Sequence, residues 1–198
     1  MINTPPTHIS PSSLIRTIRQ DLKADGINSI FCFSFLKTFF ASPTTRYMIW
    51  FRLGSYMKGK RRWKLLYPLI YLFYRHLQYK TGIQIRLGTQ VGEGIRFVHF
   101  GDVVFNASTK LGRNCVIFNG VTLGGAHLGG RAPSVGDNVV FCTGAKVIGD
   151  IRIGSNVIIG TGAVVVKDVP DCAVVAGVPA KIISMDGKNK VNDWIRRG

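Results

Sequence analysis

A six-residue period runs through the second half of the chain and limits what it can fold into. Val91 and Phe97 are spaced by six, and Val103 extends the series. The phase then slips by two across Val104–Lys110 and resumes at Leu111, Ile117 and Leu123. Twelve residues on it continues in phase at Val135, Phe141, Val147, Ile153, Ile159 and Val165. Small or apolar residues recur four positions after many anchors, as at Cys115, Ala145 and Ala163, and glycine often follows the anchor directly. A period of six matches neither a 3.6-residue helix nor a half-buried strand of period two. It matches a β-solenoid of short strands and turns, in which each rung buries its face against its neighbours. On this reading glycine serves turns with positive φ. A sandwich of short strands would not hold six anchors in phase from Val135 to Val165.

Three motifs sharpen this reading: Val121-Thr122-Leu123-Gly124-Gly125, Gly162-Ala163-Val164-Val165 and Ala176-Gly177-Val178-Pro179-Ala180-Lys181. With the period, they resemble the hexapeptide-repeat acyltransferases. Serine acetyltransferases and the O-acetyltransferases of surface-polysaccharide pathways are the most similar. The resemblance covers roughly residues 80–183 and reaches back through Asp21–Asp25 and Tyr79–Ile83. It implies a left-handed parallel β-helix with an N-terminal helical cap, assembled as a homotrimer, with pairing of trimers left open. It also implies acetyl-CoA as co-substrate and no metal.

The resemblance places a general base at His99. A hydroxyl is a poor nucleophile until a base removes its proton, and histidine titrates in the right range. Counting from Phe97, His99 points outward near a corner. His8 lies in a polar tail, and His76 reads as a helix-surface residue. Serine acetyltransferases carry an aspartate fifteen residues before the base and another just before it. Here those positions are Gln84 and Val98. Gln84, an orienting or acceptor-binding candidate, can accept a hydrogen bond through its amide oxygen but brings no charge; either a backbone carbonyl or another acid, Glu93 or Asp102, takes over, or the base is weaker.

Gly124–Pro133 breaks the period and reads as an ejected loop. The family's loop ends Arg-His-Pro and holds the amino-acid substrate; this one ends Arg131-Ala132-Pro133, and His127 is the substitute histidine. For the donor, Gly124 and Gly125 permit close approach, and Ala145 and Ala163 are expected to keep the groove wall low. The resemblance places Lys167 and Lys181 near the phosphates of CoA, where lysine acts as a mobile point charge.

Charge separates the chain into parts. Of 26 Lys+Arg and 10 Asp+Glu, residues 1–82 hold 13 and 2 (net +11), and residues 83–198 hold 13 and 8 (net +5). Fifteen of 21 aromatic residues also lie before residue 83. The expected organisation is a basic helical region over 1–82, the β-helix over 83–183 and a tail over 184–198. Helices are expected over 14–25, 28–41, 44–58 and 63–80. Lys58, Lys60, Arg61, Arg62 and Lys64 beside Trp63, Tyr67 and Tyr71 suit an anionic membrane surface or a solvated oligomer-forming cap. No apolar run reaches about 20 residues, no secretory leader is visible, and four scattered cysteines read as reduced thiols. A cytoplasmic protein, peripheral at most, is expected. No nucleic-acid motif accompanies the charge.

The departures at Gln84, Val98 and Ala132 favour a sugar or polysaccharide precursor, free or lipid-linked, as acceptor. The alternatives are serine O-acetylation in cysteine biosynthesis and, in another class, a non-catalytic scaffold or anionic-surface-binding protein.

Overall fold

The computed structural model describes residues 10–27, 37 and 39–195. The expected helix over 28–41 lies largely outside them. Helices α1 (Pro11–Ala24), α2 (Pro43–Met57) and α3 (Tyr67–Thr81) precede the β-helix. Ser10 and Ser42 cap α1 and α2, each accepting from an N–H three residues on, with proline at the first helical position. Pro68 sits in the first turn of α3, and Gly82, at φ 66°, ends that helix.

Strands β1–β15 follow, from β1 (Ile83–Ile85) to β15 (Lys181–Ser184). They stack into three sheets whose strands run parallel in A (β1, β4 Val103–Phe105, β7 Thr122–Gly124, β10 Lys146–Ile148, β13 Val164–Val165), B (β2 Gln90–Val91, β5 Lys110–Leu111, β8 Ser134–Val135, β11 Arg152–Ile153) and C (β3 Arg96–Phe97, β6 Val116–Ile117, β9 Val140–Phe141, β12 Ile158–Ile159, β14 Val174–Ala176), with β15 added antiparallel at the edge of C. The chain visits A, B and C in turn, which makes five coils. Phe105 pairs with Leu123 and Val147 with Val165, so a regular coil is three hexapeptides, one to each side. Inside runs a column of anchors including Ile85, Phe105, Leu123, Val147 and Val165, all buried.

Three corners deviate from this regular step, one of them after Val165, where Ile153 bridges Val169 and Ile159 pairs with Val175, so the last coil is shorter by two. Ile83 pairs with Val103, so the first coil is longer by two. The two extra residues lie between Phe97 and Phe105, in the turn carrying His99, one corner earlier than the sequence suggests. Phe105, not Val103, is the in-register anchor. The second deviation falls after Leu123, which pairs with Val147, one whole hexapeptide beyond a regular coil. The addition forms the loop Gly125–Pro133 between β7 (Thr122–Gly124) and β8 (Ser134–Val135).

The glycines that follow anchors have a different cause from the expected one. Gly92, Gly112, Gly136 and Gly154 do not adopt positive φ. A Cβ on Gly112 would collide with the Gly136 carbonyl, and one on Gly92 with the Gly112 carbonyl. Close stacking of coils requires them. Positive φ falls instead further along the same corner, on Gly94, Asn114, Asn138 and Asn156, each two residues after its glycine, and on Cys172 in the last coil. There the Asn114 amide donates to Asn138 and the Asn138 amide to Asn156, at 3.2 and 3.1 Å. Short polar side chains tolerate that backbone by bonding locally.

The first coil would present bare edge groups, and the helices satisfy them. Asp21 accepts from the Gly94 and Ile95 N–H groups at 2.8 and 3.2 Å. Arg52 pairs with Asp21 at 2.8 Å and donates to the Val91 and Gly92 carbonyls at 2.6 Å each. Tyr47 accepts from the Ile85 N–H, and Tyr74 donates to the Ile85 carbonyl. Each side chain takes the place of a missing ladder partner.

Asp25, at the C-terminus of α1, is less well served. Burial pushes its carboxyl up to about 6, against a hydrogen bond from Thr45 and the charge of Arg96. An unfolded aspartate titrates near 3.9. The group's contribution is therefore fully present below that value and is lost as pH rises through 6, at a cost of up to about 3 kcal/mol. Asp25→Asn is expected to raise Tm at pH 7.5 and to leave it unchanged near pH 4, measured by thermal melts at both.

The tail over 184–198 contains a helix, α4 (Gly187–Ile195). It lies on the outer face of sheet C, where Val191 covers Val116, Val140, Ile158 and Val174. Sheet C is thus buried on both faces, which explains paired apolar residues such as Val140-Phe141 and Ile158-Ile159.

Candidate active site

Sheet A lies between two corners. The corner from C into A carries His99, and the corner from A into B carries the ejected loop. His99 lies, exposed to solvent, in the enlarged turn Val98–Asp102. Two consecutive left-handed residues, Gly101 (φ 114°) and Asp102 (φ 51°), bend that turn. The imidazole meets Phe118 edge to face at 6.1 Å, and Phe118 meets Trp194 of α4 at 5.5 Å. Among the described residues no side chain hydrogen-bonds either ring nitrogen of His99. Packing against Phe118 is what holds the ring.

Gln84 is exposed on the outer face of sheet A, in register with Val104 beside the same corner. No hydrogen bond joins it to His99 among the described residues. Glu93 is excluded as the orienting acid: it lies at the opposite end of β3 (Arg96–Phe97) and pairs with Arg16 at 3.3 Å. Asp102 shares the His99 turn. Val98 packs into the apolar cluster beneath α4, so its side chain serves the core.

The loop leaves sheet A at Gly124. Leu128 is fully exposed, and the Gly130 N–H closes a turn on the His127 carbonyl at 2.9 Å. A Cβ on Gly125 would lie 2.6 Å from the Gly130 carbonyl oxygen. Gly125 is therefore required by the loop's own closure. Nδ1 of exposed His127 lies 3.1 Å from the Leu128 carbonyl. Arg131 lies 3.8 Å from Asp150, both largely exposed, an ion pair too weak to immobilise it. Ala132 is buried, and its N–H donates to Ser108 at 3.0 Å. A side chain at 132 turns into the body of the protein, so nothing there faces a ligand.

Ala145 and Ala163 correct an expectation. Both are fully buried at the inner corner of their coils, and neither side chain lines a groove. Their small size fits the narrow interior. Their backbones are also engaged, the Ala145 carbonyl accepting from Thr122 and the Ala163 carbonyl from Lys146. Lys167 and Lys181 are exposed. Lys167 follows β13 (Val164–Val165) on the loop edge of sheet A. Lys181 opens β15 beside Ala176, towards the His99 edge.

The predicted residues thus form two groups within one chain. His99, Gln84 and Lys181 lie along one edge of sheet A, and Gly124, Gly125, His127, Arg131 and Lys167 along the other. Sequence reasoning missed Phe118 and Trp194. Phe118 was marked by an aromatic residue directly after an anchor, but the partner that covers it comes from the last helix. No group of three His, Cys, Asp or Glu side chains that could hold a metal occurs among the described residues. Burial pushes the Cys115 thiol up to about 12, which leaves it unreactive at neutral pH.

No protein-family profile matches the chain. Individual proteins do. A serine acetyltransferase of Staphylococcus xylosus is 37% identical over 142 residues, 71% of this chain and 64% of that protein. A crystal structure of Neisseria gonorrhoeae serine acetyltransferase in complex with serine superposes with a TM-score of 0.72 at 30% identity, over 88% of this chain and 71% of that one. A serine acetyltransferase in complex with CoA gives 0.70 at 25% identity, over 87% and 71%. The chain spans somewhat less than two thirds of the length of the curated relative from S. xylosus. The β-helix is left-handed, as the resemblance implied. The chain belongs to the hexapeptide-repeat acyltransferases and is serine acetyltransferase-like.

Proposed function

We propose that the chain is an acetyl-CoA-dependent O-acetyltransferase in which His99 is the general base. The observation that carries this reading is the imidazole in an enlarged corner of a β-helix of this family, packed against Phe118 and with no described side chain bonded to its nitrogens. His99 takes the proton of an acceptor hydroxyl as the oxygen attacks the thioester carbonyl. The C–O bond forms, the C–S bond breaks, and the CoA thiolate leaves, to be protonated from the imidazolium. Backbone N–H groups near Gly124 are candidates to stabilise the oxyanion.

Two groups on opposite edges of sheet A support a site completed between chains. When identical prisms pack side by side, the His99 edge of one faces the loop edge of the next. Such a groove brings His99 and Lys181 of one chain to Arg131 and Lys167 of its neighbour. A homotrimer closes that arrangement.

The relatives support L-serine as the acceptor, in preference to the sugar expected from the sequence. Exposed, loosely paired Arg131 suits a carboxylate. A sugar hydroxyl stays as the second reading, because Gln84, Val98 and buried Ala132 stand where the family carries charged or polar substrate contacts. The deciding experiment follows thiol release from acetyl-CoA with L-serine and with a panel of sugars and nucleotide sugars. Turnover with L-serine above all sugars supports the first reading. Turnover with a sugar and none with serine supports the second. No thiol release with any hydroxyl acceptor overturns the enzymatic reading and leaves a scaffold.

A further inference from the structure

The helical cap exposes an apolar stripe, in which Arg75 lies over the Tyr79 ring at 4.9 Å and adds a further cation. Leu69, Leu72 and Tyr79 lie on the side of α3 opposite buried Tyr74, Leu77 and Thr81, and are 50%, 67% and 77% exposed. Leu65, just before the helix, is 98% exposed. Arg61, Arg62 and Lys64 adjoin this end of the stripe and are themselves exposed. The basic run divides in the structure. Lys58 turns inward to donate to the Leu87 carbonyl at 2.7 Å, and Lys60 sits over the Tyr56 ring. Arg62 lies over the Trp63 ring. Among the described residues, Arg61, Arg62 and Lys64 make no ion pair.

The surrounding sequence decides what this surface can meet. From residue 26 to residue 92 the chain contains no aspartate or glutamate, against 11 Lys and Arg. A second copy docking here would bring like charges together, with no acid in this stretch to pair them. A neutral protein groove would leave the cations unmatched. Exposed leucines and a tyrosine flanked by arginine and lysine complement an interface that offers hydrocarbon beneath a layer of negative charge.

We propose that the outer face of α3, with Arg61, Arg62, Lys64 and Leu65 at its N-terminal end, binds an anionic lipid bilayer surface. No described helix is long and apolar enough to cross a membrane, so the contact is peripheral. The leucines enter the interfacial region while the cations lie against lipid phosphates. Binding is reversible and sensitive to salt. This proposal is independent of the acceptor and of catalysis.

The test is co-sedimentation of the full chain with vesicles of phosphatidylcholine alone and of phosphatidylcholine mixed with phosphatidylglycerol. Binding is expected to the anionic vesicles only, and to fall steeply as NaCl is raised. Each cation near the surface contributes about fivefold in affinity, so the triple variant Arg61→Glu, Arg62→Glu, Lys64→Glu is expected to bind at least about a hundredfold more weakly. Leu65→Ser removes a side chain with almost no protein contact, so it tests the apolar contribution without threatening the fold; a several-fold loss is expected. Equal binding to both vesicle types, or none at any salt, overturns the proposal. So does a change in solution mass for the triple variant, which would assign the face to a second copy. Salt-sensitive binding to duplex DNA with none to anionic vesicles would overturn it in favour of nucleic acid.

Discussion

His99→Ala is expected to lower kcat by about 10²–10⁴ while leaving KM for acetyl-CoA close to that of the parent. The magnitude is that of removing a general base from a reaction whose nucleophile is a neutral hydroxyl. The separation of kcat from KM follows from placement. The proposed donor residues lie on other coils or on the opposite edge of sheet A, and no described side chain bonds to the His99 ring. Tm should stay essentially unchanged, since His99 is exposed to solvent and its ring contacts only Phe118 among the described aromatic rings. Steady-state thiol release with a proven acceptor, alongside a thermal melt, checks both. A loss below tenfold would remove His99 from its assigned role.

The second large effect is structural. Asp21→Ala is expected to destabilise the fold by about 3–5 kcal/mol, because it leaves the Arg52 guanidinium buried without its counter-ion. Asp21 is 5% exposed and Arg52 8%. An ordinary buried ion pair can often be replaced by two apolar residues with little loss. Here that rescue should fail. Asp21 and Arg52 also serve two N–H groups and two carbonyls of the first coil, and Asp21→Leu with Arg52→Met would orphan all four. Chemical denaturation of the single and double variants decides the matter. Recovery of parental stability in the double variant would reduce the cluster to a simple salt bridge.

The β-helix could be read from the chain because its stabilising contacts are periodic, and a period survives in one dimension. The position of the two-residue slip could not. Val103 and Phe105 are both apolar and have the same parity, so both point inward and both are buried. Only pairing with Leu123 tells which of them is the anchor. The Asp21–Arg52 pair that satisfies the first coil was illegible for a different reason. Asp21 looks like one more charge on an amphipathic helix, and its partners Arg52 and Gly94 lie 31 and 73 positions away. Ala145 and Ala163 fill the interior corner that their place four residues after an anchor implies, but a small residue suits a tight interior as well as a ligand groove. Only the side chain's direction distinguishes the two. Helix α4 is short, with Val191, Trp194 and Ile195 scattered among polar neighbours. Its apolar partners on sheet C were visible as doubled hydrophobic residues, a sign of burial on both faces.

Around the candidate site the ejected loop was legible because it interrupts the period, whereas the roles of His99 and Arg131 rest on the resemblance. The supporting Phe118–Trp194 contact was not legible, because it joins the middle of the chain to its last helix. Gln84 is exposed on the outer face of sheet A and has no hydrogen bond to His99 among the described residues.

β15 runs antiparallel to β14, and this reversal has a consequence for how the molecule can associate. A parallel ladder is a template at each end, open in principle to addition of another coil from another molecule. At the first coil the exposed edge groups already have partners in Asp21, Arg52, Tyr47 and Tyr74. At the last coil the chain folds back through Gly177–Ala180, and a strand of opposite polarity occupies the edge of sheet C. A second β-helix could not continue sheet C there in register. Continuation of the ladder from one molecule to the next is therefore opposed by two chemically different stoppers, polar side chains at the first coil and a reversed strand at the last.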